Sequence, residues 1–139
     1  MNIQNKSLEE LENDYWDEEI EFPSDLVIKC HKYRKIPIKN LTIEHLRLLI
    51  SQQIGTEYLI GIALEKLEQN ILTEGDFYEG DLLISVSSLP TEFWAEKQNK
   101  FRTYKSLVER NSELIKTELG LKKFDQINEN IKASAQQWL

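Results

Sequence analysis

Apolar residues recur at helix spacing along most of the chain, and clean alternation with β-branched enrichment is absent. Ser7-Leu-Glu-Glu10 is a capping box that opens a short helix to about Asn13. Tyr15-Trp16 follows among acids and predicts an extended arm anchored by its rings. After Pro23, Ser24 caps a helix from Asp25 to about Lys35, with Leu26, Val27, Cys30 and Tyr33 inward and Lys29, Lys32, Arg34 and Lys35 mostly outside. Ile36-Pro37-Ile38 is an extended connector, because a residue before proline avoids the α region. Thr42 caps a helix to about Gln53, with Ile43, Leu46, Leu49 and Ile50 as its apolar stripe. Gly55 then suits a left-handed helix end, and Thr56 caps a helix from Glu57 to about Gln69. That helix is apolar on most sides, which marks it as the central buried one.

Leu82 to Val86 has a strand-like composition but no visible partner strand, so it reads as a short helix from Gly80 or Asp81 to about Ser88. The longest pattern runs from Thr91 to Leu119, about 43 Å if continuous, with a bend at Asn111-Ser112, where helix formers are weak. Gly120 ends it, and a last helix spans about Lys123 to Trp138, with Phe124, Ile127, Ile131, Ala135 and Trp138 on one face. The expected architecture is all-α: one compact domain over 1–139, a bundle of six to seven helices with an acidic N-terminal arm over 1–23.

Charge changes the picture more than composition does. The net charge is -7. Residues 1–25 hold nine acids against one base, and residues 67–96 hold seven acids and no base. Residues 29–47 carry six bases and one acid. Acidic blocks of this kind argue against nucleic acid as the direct partner, since phosphates require a positive footprint. They favour a basic protein partner, whose encounter the complementary field speeds. One cysteine, Cys30, excludes an internal disulfide. No apolar run is long enough to span a membrane, and no secretory signal is visible, so a cytoplasmic location is expected.

Within the second acidic block, Glu74-Gly-Asp-Phe-Tyr-Glu-Gly-Asp81 sets four carboxylates beside two aromatics and two glycines, between predicted helices. A solvated linker has no need of adjacent rings, and a core segment would not carry four acids. The run suits a constrained anionic surface with aromatic anchors for a cationic partner. It lacks the ligand order and the twelfth-position glutamate of a calcium loop.

Other chemistry is sparse. Cys30 and His31 are adjacent on a helix and point about 100° apart, so they cannot grip one ion together. A Cys–His nucleophile would require His45 to approach Cys30 across helices, and nothing in the spacing selects that. There is no phosphate-binding glycine loop, no nucleophile elbow and no implied cofactor or metal. Lys29, Lys32, Arg34, Lys35 and Lys39 form the best nucleic-acid candidate, yet they could equally neutralise the chain's own acidic arm.

One ordered set of residues carries a resemblance. Leu8-Glu-Glu-Leu-Glu12 with Tyr15-Trp16 comes first, then Leu26-Val27, Cys30-His31 and Pro37-Ile38. Leu46-Arg-Leu-Leu-Ile50, Gln53-Ile-Gly55, Tyr58-Leu59 and Ala63-Leu64 follow, and Glu74-Gly-Asp-Phe-Tyr78, Gly80-Asp-Leu-Leu83 and Phe93-Trp94 complete it. In order and spacing this resembles the helical immunity proteins of bacterial contact-dependent growth inhibition, over about residues 7–95. Glu79 stands where the family pattern has proline, which makes the loop tip less rigid and more acidic. The helices from about residue 96 lie outside the resemblance.

The resemblance implies a non-enzymatic cytoplasmic inhibitor. It would bind the C-terminal toxin domain of a large exported protein, in many cases a nuclease with a basic cleft. The expected contact residues are Glu74, Asp76, Phe77, Tyr78, Glu79 and Asp81, with Asp14, Asp17, Glu18 and Glu19 as a second set. Two rival roles are an acidic helical interaction adaptor and a small nucleic-acid-binding regulator. If the loop is instead a structural joint with Phe77 and Tyr78 tucked inward, recognition moves to the arm or the C-terminal helices.

Overall fold

In a computed structural model, which describes residues 3–16 and 24–136, the regular elements are helices. Two 3-10 turns, Ile3–Asn5 and Ile38–Asn40, accompany α1 (Leu8–Glu12), α2 (Asp25–Tyr33), α3 (Ile43–Ser51), α4 (Thr56–Gln69) and α5 (Asp81–Ser87). Then come α6 (Thr91–Ala95), α7 (Gln98–Arg110), α8 (Ser112–Leu119) and α9 (Leu121–Gln136). Among the described residues the only β pairing is an isolated bridge between Ser7 and Pro37. Asp17, Glu18, Glu19, Pro23 and Trp138 lie outside the described residues.

Three of the four predicted caps form; the exception is Thr56, which is the first residue of α4 behind a Gly55 N-cap and makes no side-chain cap bond. Ser7 Oγ accepts from the Glu10 amide while Glu10 accepts from the Ser7 amide, closing the capping box of α1. Ser24 Oγ accepts from the Val27 amide at the start of α2. On α3, Thr42 Oγ1 accepts from the His45 amide, and His45 Nδ1 accepts from the Thr42 amide at 3.1 Å. His45 therefore plays the part usually taken by glutamate or glutamine.

That role has a pH consequence. Burial pushes the His45 imidazole below its ordinary range, against the opposing charges of Glu44 and Asp76. A group whose folded pKa is depressed stabilises the fold above its unfolded value and loses that stability as the pH falls through the folded one. Protonation also removes the Nδ1 acceptor. Thermal stability should therefore fall as the pH drops below about 6.5, the free imidazole value. His45→Gln, which keeps a capping-box acceptor, should flatten that slope; melting curves between pH 7.5 and 5 check it.

The core is apolar and continuous around α4, whose Leu59, Ile60, Ala63, Leu64 and Leu67 are buried, as expected of the central helix. Leu46, Leu49 and Ile50 of α3 and Leu82, Leu83 and Val86 of α5 pack onto the same core. Leu8 of α1 joins it, so the first part of the N-terminal segment is docked on the body.

The predicted helix over 91–119 is three helices. Trp94 stacks on Tyr104 with ring centroids 4.9 Å apart and planes 6° apart. In a continuous helix, residues ten apart would be separated by about 15 Å along the axis. The stack therefore requires the chain to fold back, and it does so at Glu96-Lys97, where Lys97 leaves helical geometry (φ -131°, ψ 51°). The second break, at Asn111, is the expected one. Tyr104 then ties α9 in place. Its hydroxyl lies 2.9 Å from Ser87 Oγ and 3.1 Å from Asn130 Oδ1, and Asn130 Nδ2 donates to the Leu89 carbonyl. Phe124, Ile127 and Ile131 form the buried face of α9.

On α2 the expected inward face is thinner than predicted: Cys30 is buried, but Leu26 is exposed. Arg34, expected outside, is 1% exposed. Its guanidinium donates to Glu12 Oε1 at 2.9 Å and to the Asp14 carbonyl at 2.8 Å, and lies over the Trp16 ring at 4.1 Å. Among the described residues no helix is long and apolar enough to cross a membrane.

A pinned loop with an exposed aromatic tip

Residues 73–80 join α4 to α5, and the segment closes on itself: the Gly80 amide donates to the Leu72 carbonyl at 3.0 Å. The short chain is then held by carboxylates from below. Asp81, the first residue of α5, is 2% exposed. Its oxygens accept from the amides of Gly75 (2.6 Å), Phe77 (3.1 Å) and Tyr78 (3.4 Å). The intervening Asp76 amide donates to Glu44 Oε1 of α3 at 3.0 Å. Four successive amides thus converge on two carboxylates, a concave arrangement of donors that favours anions.

Those two carboxylates are balanced from α3. Arg47 grips Glu44 in a bidentate pair, with both N···O distances 2.6 Å, and its Nε lies 3.9 Å from Asp81 Oδ2. These hydrogen bonds from Arg47 hold the Glu44 carboxyl below its usual range and push the Arg47 guanidinium up. Gly75 suits this closeness: a Cβ there would come 2.7 Å from Glu44 Oε1, so the carboxylate that holds the Asp76 amide would have to shift. Gly80 is required by conformation, with φ at +87°.

What the pinning leaves outside is the sequence-predicted face minus one member. Glu74, Asp76, Phe77, Tyr78 and Glu79 are all exposed, with Phe77 at 66% and Tyr78 at 40%. The rings do not tuck inward. Each has a cation on one side: the Arg47 guanidinium 4.3 Å from the Phe77 centroid and Lys123 Nζ 4.1 Å from that of Tyr78. Such contacts fix ring orientation at low entropic cost. Asp81, counted among the surface acids in the sequence, points its carboxylate into the loop, where it holds the backbone and has no surface left to offer.

Of the second set, Asp14 is exposed, accepts from Trp16 Nε1 at 3.2 Å and lies 3.9 Å from the Arg34 guanidinium. Asp17, Glu18 and Glu19 lie outside the described residues. The residues that sequence reasoning missed are the supports. Glu44 and Arg47 carried a readable signal, opposite charges three apart on one helix face. Lys123 carried none, because its partner is 45 residues away.

The residues of the rival sites are mostly engaged within the fold. Of the basic run, Arg34 is buried against the N-terminal segment and Lys35 pairs with Glu9 at 3.3 Å, while Lys29, Lys32 and Lys39 stay exposed. Cys30 is buried, and burial pushes its thiol up, away from a reactive thiolate. His31 meets the edge of Trp16, and His45 is the helix cap. Among the described residues no three His, Cys, Asp or Glu side chains converge as a metal-binding group.

No curated protein and no solved structure matches the chain. A family model described as CDI immunity proteins matches residues 10–104, a stretch that takes in the end of α1, all of α2 to α6, the pinned loop and the first half of α7. Most of the chain lies within that match, and the protein belongs to the immunity protein family of contact-dependent growth inhibition (CDI).

Proposed function

We propose that this protein is a non-enzymatic inhibitor that binds and neutralises its cognate toxin domain in the cytoplasm, and that the toxin is a basic nuclease domain. The contact surface is Glu74, Asp76, Phe77, Tyr78 and Glu79, and Asp14 with Asp17, Glu18 and Glu19 forms a second acidic contact. The observation that carries this reading is the exposed ring pair on a rigidly pinned loop, flanked by three acids that form no ion pair among the described residues. A large aromatic left in solvent on an ordered support fits the profile of an interface anchor. Carboxylates around it repel phosphates and attract lysine and arginine, which selects a protein that itself binds nucleic acid over nucleic acid itself.

Inhibition in this reading is occlusion or distortion by binding, with no bond made or broken. Electrostatic attraction should show in the association rate. The reversal of Glu74, Asp76 and Glu79 to lysine changes exposed side chains only and should leave the fold intact. Measured by stopped flow against the C-terminal domain of the polypeptide encoded immediately upstream, it should slow association about tenfold or more at low salt. It should also flatten the decline of the rate with added salt. An unchanged association rate removes the loop from the interface.

A further inference from the structure

The two most exposed large apolar side chains among the described residues are Phe77 at 66% and Leu121 at 65%, 44 positions apart in the chain. The fold brings their segments together. Leu119, at the end of α8, lies against the loop so closely that a Cβ on Gly80 would come 2.9 Å from its Cδ2. Lys123, in the first turn of α9, covers one face of Tyr78 at 4.1 Å. Residues 119–123 and the loop are thus one continuous surface, secured by Leu119 on one side of the turn and Lys123 on the other. Leu121, between them, takes no part in that packing and stands in solvent at the first position of α9.

We propose that the α8–α9 turn is the second half of the toxin-contact surface, with Leu121 as its apolar anchor and Lys122 and Lys123 as its polar edge. This rests on the reading of the loop as the first half. The surface is then charge-divided: carboxylates without an ion pair among the described residues on the loop side, lysines on the turn side, exposed apolar groups in both segments. The occupant it fits is a basic protein domain that lays cationic side chains over Glu74, Asp76 and Glu79 and an apolar side chain against Phe77 and Leu121, with an acidic or carbonyl group facing the lysines. A nucleic acid fits neither the loop carboxylates nor the apolar anchors. The two halves also differ in kinship. The loop lies inside the family match at residues 10–104, and the turn lies beyond it. Contacts added at the turn would bear on selectivity, which is a difference of affinities that a few added or clashing contacts decide.

Titration calorimetry of the full chain with the C-terminal domain of the upstream-encoded polypeptide tests this. The variants are Leu121→Asp, Lys123→Glu and Phe77→Ala, each with a melting curve to show that it folds. Leu121→Asp should keep the wild-type melting temperature and bind about tenfold or more weakly. If Phe77→Ala weakens binding while Leu121→Asp and Lys123→Glu bind as wild type does, the turn is outside the interface and this proposal is overturned, with the loop reading intact. If no complex forms, or none of the three variants weakens it, both readings are overturned.

Discussion

Replacing Asp81 with alanine should destabilise the protein by about 3 kcal/mol, although the residue sits beside an exposed loop. The estimate follows from what its carboxylate touches. Three amides, those of Gly75, Phe77 and Tyr78, lose their acceptor, and leaving buried donors unpaired costs about 1–3 kcal/mol each when water cannot reach them. Water does reach part of this loop, so the three do not add in full. Arg47 also loses a nearby counter-charge but keeps Glu44. For a chain of this size the melting temperature should drop by roughly 10 °C. Amide exchange should locate the loss, with protection falling at residues 75–78 first. The same variant should bind the toxin domain more weakly despite making no contact, because the ring pair would no longer be held in place. A melting temperature within a degree or two of wild type would show that the loop does not depend on this carboxylate.

Arg34→Ala should cost a comparable amount, about 3 kcal/mol or more, by the route of a broken buried ion pair. Its guanidinium joins α2 to the N-terminal segment through Glu12 and the Asp14 carbonyl, and it supports the Trp16 ring. Removing it leaves Glu12 without its counter-charge, Asp14 with an unpaired carbonyl, and a gap beneath Trp16. Arg34→Lys keeps the charge but not the planar fork that serves two acceptors and a ring at once, so it should recover only part of the loss. Urea midpoints of the three proteins give the ranking directly. If the lysine variant matches wild type, charge alone holds the segment and the fork geometry is irrelevant.

The helices were legible because their signals are local. Ser7, Ser24 and Thr42 announce helix starts, and period-3.6 apolar spacing marks the buried faces of α3, α4, α7 and α9. The break at Glu96-Lys97 was not legible, because no glycine or proline marks it. It is set by Trp94 stacking on Tyr104, a tertiary contact that overrides a favourable helical pattern. Arg34 was misplaced for a similar reason. A base at the end of a helix suits both solvent and the helix dipole, and only the return of Glu12 and Asp14 makes it interior. At the loop, the exposed rings and three of the acids follow the pattern read from the sequence. Asp81 departs from it because a helix-opening aspartate can turn its carboxylate back onto the preceding backbone, and local composition carries no sign of that choice.

This family member is proposed to neutralise a toxin by binding it through a charged, aromatic-tipped surface. The most direct measurement is calorimetric titration of the protein with the C-terminal domain of the polypeptide encoded immediately upstream, at low and at high salt. The expected result is a stable complex whose affinity falls as salt rises and falls again in the Phe77→Ala variant. Absence of a complex, or one indifferent to both salt and Phe77, would contradict it.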